Sequence, residues 1–303
     1  MVPKGKMVLS VGFFLPKISE RLKKRRGTVE NFLKGISEYI PFSKGVMQRQ
    51  MSYKIGFFMR TIGGLIQVLI MYYLWMAIFN SSATGEINGF TSKEMVLYVI
   101  ISYITASIVE VYIEGTISSE IRDGSIATYL IKPISYQKRI LFESFGNIMI
   151  KTATVLLPLW IGFSIYRFVS IGETLPSIGN MLLYLLSLVL AYGIRFTFNF
   201  IFALSAFFVT YIWGFMLCKG IIFRFFSGEL IPMIFFPLAL QNVLKYLPFS
   251  ALNYTPVMIY MGKFTTNQII FSIGVQIVWL IIFYVALKLL WKRAIKRLAV
   301  LGG

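Results

Sequence analysis

Long apolar runs separated by short polar stretches dominate this chain, and helix is the conformation that carries such a run through a bilayer with every backbone group bonded, about 20 residues at a time. The pattern predicts spans at residues 61–85, at 95–109 continuing past Glu110 and Glu114, and at 141–166, with Glu143 at its start and Lys151 inside it. Between residues 174 and 218 the only charge is Arg195, and 45 residues suit two crossings better than one. Charge favours a reversal at 195–199, whereas spacing to the next loop allows one nearer 206–211. Residues 264–287 make a sixth span.

Two stretches fit neither spans nor plain loops. Before the first span, Val29, Phe32, Leu33, Ile36, Tyr39 and Ile40 recur at helical spacing among Glu30, Lys34 and Glu38, so residues 29–54 read as an amphipathic helix, lying in the membrane interface or docked on other protein. Between the fifth and sixth spans, residues 227–249 are apolar but broken by Pro232, Pro237 and Pro248. Proline removes backbone donors and stops helices, which predicts a re-entrant hairpin; an external loop with an apolar helix packed on the bundle is the simpler alternative. The fold predicted is an all-α integral membrane protein with six transmembrane helices, an N-terminal interfacial helix and this Pro-broken hairpin.

Composition agrees: of 303 residues 57% are apolar and only 14% charged, against about 25% charged in soluble domains. The net charge of +18 could point to nucleic acid, but 13 of the 30 basic residues lie in the first 60 positions and five more in 288–297, flanking apolar runs. That distribution fits the positive-inside rule and argues against a nucleic-acid partner. It divides the chain into a basic N-terminal extension (1–28), the amphipathic helix (29–54), a six-span body (55–290) and a basic tail (291–303). Both termini and the 117–140 loop then face the cytoplasm. Residues 7–15 after Lys4 and Lys6 imitate a secretory signal, but no Ala precedes Ala77 and Pro16 and Lys17 follow at once, so a cytoplasmic arm is the preferred reading.

Chemistry-bearing clusters are few. His is absent and Cys218 is the one cysteine, which removes disulfides, the usual zinc sites and His-based acyl transfer. No G-x-x-x-x-G-K-[ST] loop is present, so the chain has no phosphate loop for ATP. No catalytic, cofactor or metal residue is expected. Glu110 and Glu114, four apart, would share a helix face, and a hairpin could bring Lys151 near Glu110 as an intramembrane ion pair. Arg195 and Lys219 most simply mark membrane edges, and Trp75 and Trp291 suit interfacial belts.

The loop after the second span carries a pattern, G-x-I-x-x-x-L-x-K-P, spelled by Gly124, Ile126, Leu130, Lys132 and Pro133. Together with residues 53–79 and the Ser-Gly, Ile-Pro, Leu-Pro-Phe and Pro-x-x-x-Tyr elements of 227–263, it resembles the membrane subunits of bacterial type-2 ATP-binding-cassette exporters over roughly residues 30–297. The resemblance implies a permease subunit in the bacterial cytoplasmic membrane, half of a translocation path completed by a second copy or a related permease. A separate ATP-binding subunit would hold ATP and Mg, and the loop would dock on it. Arg122, Asp123, Gly124, Ile126, Tyr129, Leu130, Lys132 and Pro133 are the candidate coupling residues: Asp123–Gly124 is a turn signal, Arg122 and Lys132 can meet acidic groups, and Ile126, Tyr129, Leu130 and Ile131 offer apolar anchors. An ordinary solvated loop is the plainer reading. The rival function is an ion-coupled secondary transporter using Glu110, Glu114 and Lys151.

Overall fold

The computed structural model describes residues 35–82, 85–171, 176–209 and 211–301. The basic extension 1–28 and the start of the amphipathic helix, including Val29, Phe32 and Leu33, lie outside the described residues. What is described is helical apart from one tiny hairpin: α1 (Ile40–Ser52), α2 (Lys54–Asn80), β1 (Glu86–Ile87), β2 (Phe90–Thr91), α3 (Ser92–Val109), α4 (Glu114–Arg122), α5 (Ile126–Leu130), α6 (Tyr136–Lys151), α7 (Leu157–Tyr166), α8 (Ile178–Ala203), α9 (Trp213–Phe226), α10 (Leu238–Leu244), α11 (Tyr254–Tyr260) and α12 (Thr266–Leu301). The two strands pair antiparallel through Asn88–Gly89, both at positive φ, as a two-residue primed turn requires.

Five stretches are long and apolar enough to cross a membrane: Thr61–Asn80, Ser92–Arg122, Tyr136–Val169, Ile178–Phe207 and Thr266–Lys296. The expected fifth is not among them. Its helix, α9, has 14 residues, about 21 Å at 1.5 Å per residue, whereas a hydrocarbon core is about 30 Å thick. The turn before it lies at the later of the two expected places, since α8 runs to Ala203 and a single 3-10 turn, Leu204–Phe207, follows.

Local chemistry sets the helix boundaries. Thr91 caps α3, its hydroxyl taking the Glu94 N–H while the Glu94 carboxylate takes the Thr91 N–H at 2.9 Å; this reciprocal box satisfies two donors the helix leaves open. Ser135 caps α6 just after Pro133, and Ser177 caps α8. Two π-helical turns, Thr152–Leu156 and Arg167–Ile171, widen the third span. Pro158 follows the first of them and cannot donate to the carbonyl four residues back, which favours a looser turn there. The basic tail expected from residue 291 begins inside α12, with no break before it.

Two apolar cores stack along the bundle. One, around Met95, Tyr98, Leu156, Tyr184 and Val257, lies toward the β-hairpin; the other, around Ile117, Ile126, Tyr136, Ile140 and Phe200, lies toward the 117–140 loop. Buried Gln276 of α12 ties that helix into the first core, donating to Ala251 O at 2.8 Å and exchanging bonds with Ser187 of α8. Trp75 is 5% exposed and packs on Phe235 at 4.9 Å, so it belongs to the core and not to an interfacial belt.

The amphipathic segment does dock on protein. Tyr39 stacks on Phe142 of α6 with ring centroids 5.5 Å apart, Ser43 donates to Phe142 O, and Gln50 donates to Asn147 at 2.8 Å. Gly146 makes this close approach possible, because a Cβ there would lie 2.5 Å from Ser43 O. A Gly146→Val variant is expected to lose about 1–3 kcal/mol from overpacking and to release α1. Limited proteolysis at Lys44 and Arg49 should then run faster than in the wild type.

Residues 227–263 follow a path of their own. α9 ends at Ser227 and Gly228, the latter at φ 84. Both ends of the following excursion return to the middle of α3: Tyr98 donates to Gly228 O at 2.5 Å, and Asn253 donates to Ser102 at 2.6 Å. Between them, the 3-10 turn Met233–Phe235 reaches Trp75, Phe90 and Asn88 at the β-hairpin end.

Candidate functional site

The 117–140 loop is a braced structure. α4 turns at Asp123–Gly124, where Gly124 has φ 76 and the Asp123 carboxylate accepts from the Ser125 N–H and hydroxyl at 3.0 and 2.7 Å. Those two donors hold the Asp123 carboxyl below its usual range. Behind the turn sits Arg139 of α6, 2% exposed. Its Nη2 donates to both carboxylate oxygens of Glu120 at 2.6 and 2.8 Å, its Nη1 donates to Glu143 at 2.9 Å, and the guanidinium lies 3.7 Å over the Tyr129 ring. Tyr136 adds a 2.6 Å bond to Glu120 and stacks on Trp291 of α12 at 5.3 Å. Planar, multiply bonded guanidinium of this kind fixes geometry as well as charge.

The eight loop candidates therefore divide by direction. Ile126 is 0% exposed and packs inward, so it is an internal strut and not an available anchor. Tyr129 and Leu130 are half-buried, Tyr129 between Arg139 and Lys132. Arg122, Asp123, Gly124, Lys132 and Pro133 are exposed, and Ile131 is 85% exposed. Arg139, Glu120 and Glu143, which organise the loop, were not among the sequence candidates; only the Arg139–Glu143 spacing of four signalled a pairing.

The second cluster differs from the one expected. Glu110 and Glu114 do not share a helix face, because α3 ends at Val109 and α4 starts at Glu114, with Glu110 in extended backbone at ψ 123. The cation that meets Glu114 is Lys219 of α9, a buried ion pair. Lys219 also donates to Asn199 at 3.0 Å, and Asn199 in turn donates to Val111 O, inside the break, at 2.7 Å. Lys219 is 9% exposed and so turns into the protein instead of snorkelling; the late reversal after Ala203 places it opposite Asn199. Lys151 closes α6 where the first π turn begins.

Beside this pair lies a cavity of about 30 Å³ lined by Glu110, Arg195, Phe223, Arg224, Glu229 and Asn253, with Ala106, Val109, Ser227 and Leu252. Arg195 faces it from α8, its guanidinium 4.3 Å from the Phe223 ring, and Arg224 bonds Glu229 at 2.8 Å. Among the described residues no group of His, Cys, Asp and Glu is placed to hold a metal ion.

No curated protein matches this sequence. The family profile described as ABC-2 family transporter protein matches residues 65–302, which takes in every candidate span from α3 onward, most of the first, the braced loop and the buried charges. This chain belongs to the ABC-2 transporter family and is an ABC-2 type permease subunit, a multi-pass membrane protein.

Proposed function

We propose that the chain forms half of the path of an ATP-driven exporter, with a separate ATP-binding subunit, which holds ATP and Mg, docked on the 117–140 loop. A second copy or a related permease would complete the path. The observation that carries this reading is the pairing of a rigid base with an exposed tip: Arg139 clamps the loop from behind while Ile131, Lys132 and Pro133 project from it. A segment built this way can transmit a push, whereas a floppy solvated loop would absorb it. Six crossings follow if α9 and the excursion after it count as a composite fifth, half helix and half re-entrant segment. Non-helical backbone at membrane depth is tolerated where protein buries it, and the hydrogen bonds to Tyr98 and Ser102 supply that burial. The surplus of Lys and Arg near both chain ends and in the loop supports a cytoplasmic position for that end.

The test is an affinity purification from native membranes. An ATPase subunit should co-purify in equal stoichiometry, and Ile131→Asp should lower its recovery about tenfold, since a charge would be forced against an apolar docking surface, while yield and thermal stability of the permease stay unchanged. Recovery without any ATPase, or proton-driven uptake in its place, would favour the ion-coupled carrier. That carrier has lost one support, because Glu114 is committed to Lys219 and separated from Glu110 by a break.

A further inference from the structure

The cavity beside Glu110 is unbalanced in its hydrogen bonding, and the imbalance has a definite chemical complement. Asn253 is 2% exposed, and its amide nitrogen is used on Ser102, but its Oδ1 has no partner among the described residues. Buried acceptors of this kind are costly unless a donor reaches them. Glu110 lines the same space, with the Tyr112 hydroxyl against it. Opposite them, the Arg195 guanidinium makes no hydrogen bond with another described residue; it lies over the Phe223 ring and faces the charge of Glu110 across the cavity. Glu229 is already taken by Arg224. The walls thus present one unpartnered buried acceptor, Asn253 Oδ1, beside the Glu110 carboxylate and a guanidinium that makes no hydrogen bond.

An ammonium group supplies three donors and no acceptor, and the volume of about 30 Å³ is more than the roughly 10–15 Å³ that a water-sized group needs. Arg195 then calls for an anion attached beside that ammonium. The location narrows the ligand further. Glu110 lies 16 residues beyond Glu94 and Arg195 lies 15 beyond Asn180, about 22–24 Å along their helices from the polar β-hairpin end, so the site is within the apolar thickness of the bundle. Its rim is accessible, with Tyr112 74% and the Arg224 side chain 38% exposed, and apolar Ile222 and Phe225 of α9 are exposed nearby.

We propose that this cavity is a binding site for the head group of a zwitterionic amphiphile, seating a primary ammonium between Glu110 and Asn253 Oδ1 and the adjoining anion on Arg195. The proposal assigns a head-group class to the path described under the proposed function and rests on that reading. Binding needs neither ATP nor coupling, so the two can fail separately.

The experiment uses the complex captured from native membranes, placed in phosphatidylglycerol nanodiscs without nucleotide. Three chain-labelled probes share one acyl chain: lysophosphatidylethanolamine, lysophosphatidylcholine and lysophosphatidylglycerol. The ethanolamine probe should bind saturably and about tenfold more tightly than the other two, because the choline head has no N–H and the glycerol head no cation. Glu110→Gln and Arg195→Gln should each weaken its binding about tenfold. Equal affinity for the three probes overturns the proposal, and this comparison needs no variant. Unchanged binding in Glu110→Gln overturns it as well. Displacement by soluble O-phosphoethanolamine at the affinity of the acylated probe would overturn the amphiphile as ligand.

Discussion

Replacing Arg139 with methionine is expected to remove about 3–5 kcal/mol of stability, the usual cost of deleting one partner of a buried ionic cluster. The variant leaves the carboxylates of Glu120 and Glu143, 12% and 20% exposed, facing each other without their shared cation. It also strips the Tyr129 and Tyr136 rings of the guanidinium that lies over them. Arg139 Nε has no acceptor among the described residues, so the wild-type cluster already carries one unmet donor, and the favourable side rests on the three bonds to carboxylate. A triple variant, Arg139→Met with Glu120→Gln and Glu143→Gln, should recover most of the loss, because neutral amides are far less costly to bury than orphaned charges. Thermal unfolding of the purified protein in mild detergent reads both results. A single variant that melts with the wild type would show that the loop does not depend on this clamp.

Lys219→Met should be nearly as damaging, for a related reason at a different depth. Glu114 is 4% exposed and Asn199 is 0% exposed; both would lose their cationic donor together. The expected cost is again about 3–5 kcal/mol, and the double variant Lys219→Met with Glu114→Gln should return to within about 1 kcal/mol of the wild type, as paired replacements of buried ions often do. The coupling between the two sites is then the difference measured in a double-mutant cycle. Additive losses would indicate that the two groups do not depend on each other.

These two clusters show where sequence reasoning carried and where it stopped. Apolar runs located five of the spans because span length is a property of consecutive residues, and the helix caps at Thr91 and Ser177 are equally local. The Asn88–Gly89 pair could have revealed the hairpin, since few other dipeptides suit two consecutive positive-φ positions. The partners of Glu114 and Glu120 could not be read in the same way. Lys219 lies 105 positions from Glu114, and which of the charges at 151, 195 and 219 meets it depends on where α8 turns, a choice spacing alone left open. The shortness of α9 was hidden by apolar sequence that continues past it: composition reports solubility in lipid, while Gly228 and the hydrogen bonds of Tyr98 and Asn253 decide where the backbone stops being helix. The inward direction of Ile126 was also illegible, because in a five-residue helix the side that is covered depends on what packs over it.

The non-helical residues 110–113 give the molecule a mechanical asymmetry. α3 and α4 are joined by a short non-helical link, which is tethered sideways through Val111 O to Asn199 and through Glu114 to Lys219. If the 117–140 loop receives a push from a docked ATPase, as proposed, that push would meet a break in the helix before it reached α3. Under the proposed coupling it would pass at the joint into α8 and α9, so the second crossing would serve as a crank and the fourth and fifth segments would receive the stroke.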